Sequence, residues 1–231
     1  MSEETNTPQR RPIRSFVLRG GRITDGQRKA FNANWPRYGL ELENGMLDYA
    51  GVFQREANTV LEIGFGMGDS LLQMARTSPE SNFIGVEVHP PGVGRLLAAI
   101  DHAKLINLRI FKADALDVLQ KCIPDGSLTC VQIFFPDPWH KKRHHKRRLI
   151  QPDFVALASS KLTAKGVLHI ATDWQPYAEH SMQVLQANPQ LRNSAGADNF
   201  APRPERRPLT KFEQRGQRLG HGVWDLIFES Q

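Results

Sequence analysis

The chain has 231 residues, of which 40% are hydrophobic and 23% are charged, and its formal net charge is +6. This apolar share is typical of a globular protein and excludes a wholly disordered or collagen-like chain. The apolar runs are far shorter than the roughly twenty residues that cross a bilayer, and the polar, Arg-rich start lacks the apolar stretch of a secretory signal. The two cysteines fit no metal-binding spacing. We therefore expect a soluble cytoplasmic protein without disulfides, membrane attachment, a bound metal or an obligate protein partner.

The chain begins with a basic arm. Residues 1–22 show no apolar periodicity and are expected to form a mobile arm, which leaves residues 23–231 as a single domain. Thr24 and Gln27 stand at capping-box spacing. They predict a helix over residues 25–34 that ends before Pro36.

Short apolar runs then alternate with helical patterns. Strands are predicted over residues 59–64, 82–87, 107–112, 128–135, 166–172 and 223–229. Five helices are predicted between these strands. The apolar face of the first carries Leu71, Met74 and Ala75, that of the second Leu96, Ile100 and Ala103, and that of the third Leu116 and Leu119. The fourth helix spans residues 152–163, and the fifth ends near Leu185. Apolar strands that alternate with helices are typical of a parallel sheet covered on both faces. We predict an α/β doubly wound fold whose last strand joins as an antiparallel partner.

A glycine-rich turn follows the first predicted strand. Gly64, Gly66 and Gly68 come just after Glu62, and their spacing fits neither the dinucleotide fingerprint nor a phosphate-binding loop. Glycines at the start of a helix let the backbone approach a ligand closely. The turn therefore favours a nucleoside cofactor without a pyrophosphate and argues against a nicotinamide-dependent oxidoreductase.

Acidic residues follow the next four strands. Glu87, Asp114, Asp137 and Asp173 stand at the carboxyl ends of the second to fifth strands, where ligands bind in open α/β sheets. Glu87 has the spacing of a carboxylate that binds ribose hydroxyls. Because Asp is also a favoured helix N-cap, each of these residues could instead simply cap a helix.

The end of the fourth strand is the most specific feature of the chain. Asp137 stands between Pro136 and Pro138, which fix the backbone on both sides of its carboxylate. Six cations follow after Trp139: Lys141, Lys142, Arg143, Lys146, Arg147 and Arg148. Two more basic clusters lie within residues 10–22 and 203–218. Three such clusters favour a polyanionic partner such as nucleic acid.

These motifs resemble those of the bacterial tRNA (guanine-N7-)-methyltransferases, which belong to the class I S-adenosylmethionine-dependent methyltransferases. The resemblance extends from about residue 14 to the end. Its motifs are LEIGFGMG (61–68), GVEVHPPGVG (85–94), FFPDPWHKKRHHKRR (134–148), ATDWQPYAEH (171–180) and TKFEQRGQRLGHGVWDL (210–226). It implies a Rossmann-like, mostly parallel sheet of seven strands, S-adenosylmethionine as cofactor, and methylation of guanosine 46 in the variable loop of tRNA.

The resemblance also implies which residues form the site. The cofactor contacts would be Glu62, Gly64, Gly66, Gly68, Glu87, Asp114 and Asp137. The substrate contacts would be Lys141, Asp173, Thr210, Lys211, Phe212 and Glu213. The RNA contacts would be Arg143, His144, His145, Lys146, Arg147 and Arg148. Guanine N7 carries a bare lone pair, so no strong general base is required. We therefore expect Asp137 to be the catalytic residue, either orienting the base or stabilising its developing charge.

Other functions fit parts of the sequence. An amino-group methyltransferase would carry Asn/Asp-Pro-Pro-aromatic at the fourth strand end, whereas Pro136 to Trp139 give Pro-Asp-Pro-Trp. A non-catalytic RNA-binding module would need only the basic clusters, and it leaves the acid-lined cleft unexplained. A methyltransferase that acts on another RNA base is the remaining alternative.

Overall fold

The computed structural model describes residues 15–16, 22–209, 213 and 222–231. Its helices are α1 (Asp25–Tyr38), α2 (Tyr49–Phe53), α3 (Asp69–Thr77), α4 (Pro90–His102), α5 (Ala115–Lys121), α6 (Pro152–Ser160) and α7 (Gln175–Gln186). Its strands are β1 (Gly39–Leu40), β2 (Thr59–Ile63), β3 (Asn82–Val86), β4 (Leu108–Phe111), β5 (Leu128–Phe134), β6 (Leu162–Thr172), β7 (Leu191–Asn193) and β8 (Trp224–Ser230). Two short 3-10 helices span Leu42–Asn44 and Lys142–Arg147.

The strands form one sheet in the order β1-β4-β3-β2-β5-β6-β8-β7. Strands β1 to β6 pair in parallel, and β8 runs antiparallel to both β6 and β7. The predicted doubly wound fold with a late antiparallel strand is thus confirmed. Among the described residues the sheet has eight strands rather than the expected seven. Strands β1 and β7 were not predicted because they have only two and three residues, too few to show an apolar pattern. The strand order reverses at β2, which pairs with both β3 and β5.

Two apolar layers cover the sheet. One contains Leu71 of α3 and Leu96 of α4, and the other contains Leu119 of α5 and Phe154 of α6. Successive strand residues point to opposite faces, so Phe83 of β3 joins the first layer and Ile84 joins the second. The buried face predicted for α3 is confirmed, since Leu71, Met74 and Ala75 are its buried residues. On α4, Leu96 and Ile100 are buried, whereas Ala103 is only the C-cap.

Helix α1 begins as predicted and ends later. The Thr24 hydroxyl accepts the backbone N–H of Gln27 at 3.2 Å, and the Gln27 side chain accepts the N–H of Thr24 at 2.9 Å. The predicted end before Pro36 is wrong, because the helix continues to Tyr38. A proline in the last turn costs one backbone hydrogen bond. Because only two residues of the helix follow Pro36, the helix tolerates this loss.

Strand β6 also differs from its prediction. It begins at Leu162 instead of residue 166, and α6 correspondingly ends at Ser160. Leu162 pairs with Leu128 before an irregularity in the β5–β6 register, and Lys165 takes a left-handed conformation with φ of 62°. Because this irregularity interrupts the alternation of side chains between the two faces of the sheet, the first part of β6 shows no period-two pattern in the sequence. Among the helices of the described residues, none has the length and apolarity to span a membrane.

Candidate functional site

A cavity of about 230 Å³ lies at the carboxyl ends of the central strands. Gly64 lines it after β2, Glu87 after β3, Asp114 after β4 and Asp137 after β5. Parallel strands end at one edge of the sheet, and the reversal of strand order opens a crevice there. The predicted convergence of these three carboxylates is therefore observed.

A second cavity adjoins the first. Asp173, which follows β6, lines this second cavity together with His140 and Trp174. Phe135, Pro136 and Asp137 line both cavities. The fourth predicted carboxylate thus faces a separate space, and the two spaces share the wall that carries Asp137.

The backbone around Asp137 is strained. Phe135 and Trp139 have φ values of 54° and 47°, in a left-handed region that bulky residues rarely adopt. Between them, Pro136 and Pro138 hold their own φ values fixed. Strained residues of this kind cost about 1–3 kcal/mol each and cluster at functional sites, where the surrounding structure holds them in place.

Several contacts hold this turn. The Phe135 N–H donates to the carbonyl oxygen of Ala171 at 2.7 Å. The Trp139 indole N–H donates to the carbonyl oxygen of Ser15 at 3.2 Å, and Arg148 Nε donates to that of Pro138 at 3.0 Å. Ser15 also lines the first cavity, a role that sequence reasoning missed because the arm shows no motif.

The glycine-rich turn is built by close packing. Gly64 has φ of 77°, and a Cβ there would meet no atom within 4 Å, so its backbone lies open toward the first cavity. A Cβ at Gly92 of α4 would lie 1.9 Å from the carbonyl oxygen of Gly66, which makes glycine obligatory for this approach. The Glu87 carboxylate accepts the Gly66 N–H at 2.8 Å. Gly66 and Gly68 therefore shape the turn, and only Gly64 of the three reaches the cavity wall.

Glu62 lies behind this turn, outside the wall of the cavity. Its side chain is 3% exposed and accepts a hydrogen bond from Gln132 Nε2 at 2.9 Å. Burial raises the pKa of Glu62 to about 7, with a further increase from the charge of Glu87 and a partial decrease from the Gln132 hydrogen bond. A direct cofactor contact by Glu62 stays a prediction.

Asp114 and Asp173 differ in the role of their carboxylates. Asp114 caps α5, accepting the Leu116 N–H at 3.0 Å, and it also lines the first cavity. Asp114 is therefore a helix cap that also faces the cavity, and its contact with a cofactor stays a prediction. At α7 the N-cap position is held by Trp174, whose side chain makes no capping hydrogen bond. Asp173, one residue earlier, makes no side-chain hydrogen bond to any residue that the structure describes. Simple helix capping does not explain Asp173.

The basic segment, residues 141–148, follows this turn. Lys141, Lys142, Arg143 and Lys146 are exposed, and His144, His145 and Arg147 are half-buried. The expectation for Arg148 needs correction, because Arg148 is only 5% exposed. Its guanidinium bonds to Pro138 and lies 5.0 Å from the centre of the Tyr177 ring. Arg148 is thus committed to holding the turn rather than to binding phosphates.

The C-terminal substrate residues are placed only in part. Thr210, Lys211 and Phe212 lie outside the described residues. Glu213 is 2% exposed and bonds to Arg207, which is itself 1% exposed. Glu213 therefore lies inside the protein rather than in the wall of either cavity. Sequence reasoning missed Arg207, which it grouped with the surrounding surface cations. Among the described residues, no cluster of His, Cys, Asp or Glu forms a candidate metal site.

Comparisons with known proteins agree with this geometry. A family model described as "Putative methyltransferase" matches residues 56–226. The tRNA (guanine-N(7)-)-methyltransferase of Idiomarina loihiensis is 59% identical over 95% of this chain and 90% of its own length. That of Stutzerimonas stutzeri is 55% identical over 99% and 96%. The crystal structure of the aminoglycoside resistance methyltransferase NpmB1 shares the fold, with a TM-score of 0.55 and 16% identity over 83% of this chain and 94% of that one.

The doubly wound sheet, with its cavity at the reversal of strand order, defines a class I methyltransferase. The cofactor of this class is S-adenosylmethionine. Within the class, the chain belongs to the family of bacterial tRNA (guanine-N7-)-methyltransferases.

Proposed function

We propose that this chain transfers a methyl group from S-adenosylmethionine to N7 of a guanosine in tRNA, with guanosine 46 of the variable loop as the target. The observation that carries the proposal is the pair of adjoining cavities with Asp137 in their common wall. One cavity suits a nucleoside cofactor and the other suits a base. The near-full-length relatives are named as tRNA (guanine-N(7)-)-methyltransferases.

The first cavity fits S-adenosylmethionine by the chemistry of its groups. This cofactor supplies a methyl group on a positively charged sulfur, which suits a wall that contains three carboxylates. Glu87 and Asp114 would accept hydrogen bonds from ribose hydroxyls and from the adenine amino group. Asp114 has one oxygen on the Leu116 N–H, which leaves the other for a ligand. Gly64 allows close approach of the backbone.

The second cavity supplies the groups for a guanine. Asp137 and Asp173 both line it, and each carboxylate would accept N–H donors of the base. Since N7 attacks through a free lone pair, the task of the protein is to align the base and to stabilise its growing positive charge. Because Asp137 lies in the common wall, we assign it to the stabilisation of that charge.

The exposed cations of the basic segment extend from this cavity. His140 lines it, and Lys141 and Lys142 follow directly and are exposed. We assign the exposed and half-buried members of the basic segment to contacts with tRNA phosphates, which position a nucleic acid without reading its sequence. These residues are Lys141, Lys142, Arg143, His144, His145, Lys146 and Arg147.

The direct test is incubation with unmodified tRNA and methyl-labelled S-adenosylmethionine, followed by mass-spectrometric mapping of the modified nucleotide. We expect N7-methylguanosine at a single variable-loop position. Labelled RNA modified at another base or atom would contradict the proposal. Binding of tRNA with no dependence on cofactor and no transfer of label would instead favour the non-catalytic RNA-binding module.

Asp137→Asn tests the catalytic assignment. Loss of the negative charge beside the developing cation should lower kcat by about a hundredfold or more, with the fold intact. Asp153→Asn is the matched control, because Asp153 is exposed on α6 and lines neither cavity. Full turnover by a folded Asp137→Asn protein would overturn the assignment.

A further inference from the structure

A buried ion-pair cluster lies beside the site. Arg207 donates to Asp225 through Nε at 2.8 Å and through one terminal nitrogen at 2.9 Å. It also donates to the two oxygens of Glu213 at 2.6 and 2.8 Å. His169 Nε2 lies 2.7 Å from Asp225. We call these four residues, each no more than 2% exposed, the Arg207 cluster.

The Arg207 cluster adjoins the wall that the two cavities share. The guanidinium carbon of Arg207 lies 5.8 Å from the ring centres of both Phe134 and Phe135. His169 meets the Phe134 ring edge-on at 5.0 Å. Phe135 lines both cavities and has the strained φ described above. The cluster thus contacts the residues from which the chain turns toward Asp137.

Stability alone does not account for such a cluster. Taking charges out of water is costly, and well-packed apolar residues often replace buried ion pairs without loss of stability. Burial acts to lower the pKa of Arg207, but its hydrogen bonds with Glu213 and Asp225 raise it overall, so the guanidinium stays charged. A charged group that lies over two aromatic rings and is hydrogen-bonded to two buried carboxylates restricts where those rings lie.

We infer that Arg207 is a positioning residue: its cluster braces Phe134 and Phe135 and thereby fixes Asp137 between the cofactor and the base. Glu213 then acts through Arg207 and not by touching the substrate. This inference rests on the proposed function. It adds the Arg207 cluster as a group that aligns Asp137 with the reacting molecules, and such alignment affects kcat.

Glu213→Gln is the informative substitution. Arg207 keeps both hydrogen bonds to Asp225, so its charge retains a carboxylate partner, and the new amide oxygen still accepts one bond. The guanidinium loses one of its two carboxylates and becomes free to shift under the rings. We expect kcat, measured where the variant stays folded, to fall by about tenfold or more, with unchanged KM for tRNA and for S-adenosylmethionine. The melting temperature should fall by several degrees, because one buried hydrogen bond to Arg207 is lost. Glu205→Gln removes the same charge from an exposed residue near Arg207 and should leave kcat as it is.

A double-mutant cycle separates bracing from direct contact. Arg207→Lys retains the charge but cannot make the two-pronged bonds to both carboxylates. If Glu213 acts through Arg207, the double variant should be no slower than the slower single variant. Multiplying losses in kcat, or a raised KM for tRNA in Glu213→Gln alone, would instead assign Glu213 to a direct substrate contact and overturn the inference.

The two proposals fail in different ways. A wild-type protein that forms no N7-methylguanosine would refute the proposed function. A fully active wild-type protein with unchanged kcat in Glu213→Gln would refute the bracing role alone.

Discussion

At the scale of single residues, Glu62 couples the site to pH. Its pKa rises from 4.5 to about 7 in the folded protein, mainly through burial. The folded state therefore holds the proton more tightly than the unfolded state does, so the free energy of unfolding falls as the pH rises from 4.5 to 7. Glu62→Gln keeps the oxygen that accepts from Gln132 and lacks this titration. At about pH 8 we expect the variant to be more stable by about 3 kcal/mol.

Urea unfolding at a series of pH values measures this effect. The difference between Glu62→Gln and the wild type should shrink steadily as the pH is lowered toward 4.5. Glu80→Gln is the control, because Glu80 is exposed and carries the same charge. An equal stability difference at every pH would contradict the assigned cause.

At the scale of elements, two cations of the basic segment should behave differently. Arg148 is buried against Tyr177 and bonded to Pro138, whereas Lys146 is exposed. Arg148→Met leaves the Pro138 carbonyl without its donor, so we expect a melting temperature lower by several degrees. Lys146→Met should leave the melting temperature unchanged and weaken tRNA binding. Equal melting temperatures for both variants would show that Arg148 does not hold the turn.

Local patterns predict elements where local forces decide them. The capping box of Thr24 and the apolar face of α3 depend on residues within a few positions of one another, and both are as predicted. The burial of Arg148 depends on its contact with Tyr177, which lies 29 positions further along the chain. Nothing in the sequence of the six cations distinguishes the buried Arg148 from the other five.

At the scale of the whole molecule, RNA binding should depend strongly on salt. Five cations of the basic segment remain available once Arg148 is set aside: Lys141, Lys142, Arg143, Lys146 and Arg147. If all five neutralise phosphates, the logarithm of the binding constant should fall against the logarithm of salt concentration with a slope between about −3.5 and −4.5. Fluorescence anisotropy with labelled tRNA measures this slope. A flat dependence would remove the basic segment from the interface.

The candidate site was predictable to the extent that topology defines it. The positions of Glu87, Asp114 and Asp137 follow from one rule, that parallel strands end at one edge of the sheet. The Arg207 cluster follows from no such rule, because it joins His169 of β6 to Asp225 of β8 and to two residues of the intervening chain. Such a meeting depends on the antiparallel return of β8 beside β6.

The common wall has a thermodynamic consequence. Phe135, Pro136 and Asp137 line both cavities, so a ligand in either cavity would contact the same three residues. If bound methyl donor raises the affinity of the protein for RNA by some factor, bound RNA must raise its affinity for the donor by the same factor. Transfer of the methyl group changes the charge of both occupants at this boundary. Where the two sites are coupled, the release of one product then changes the affinity for the other by the same rule.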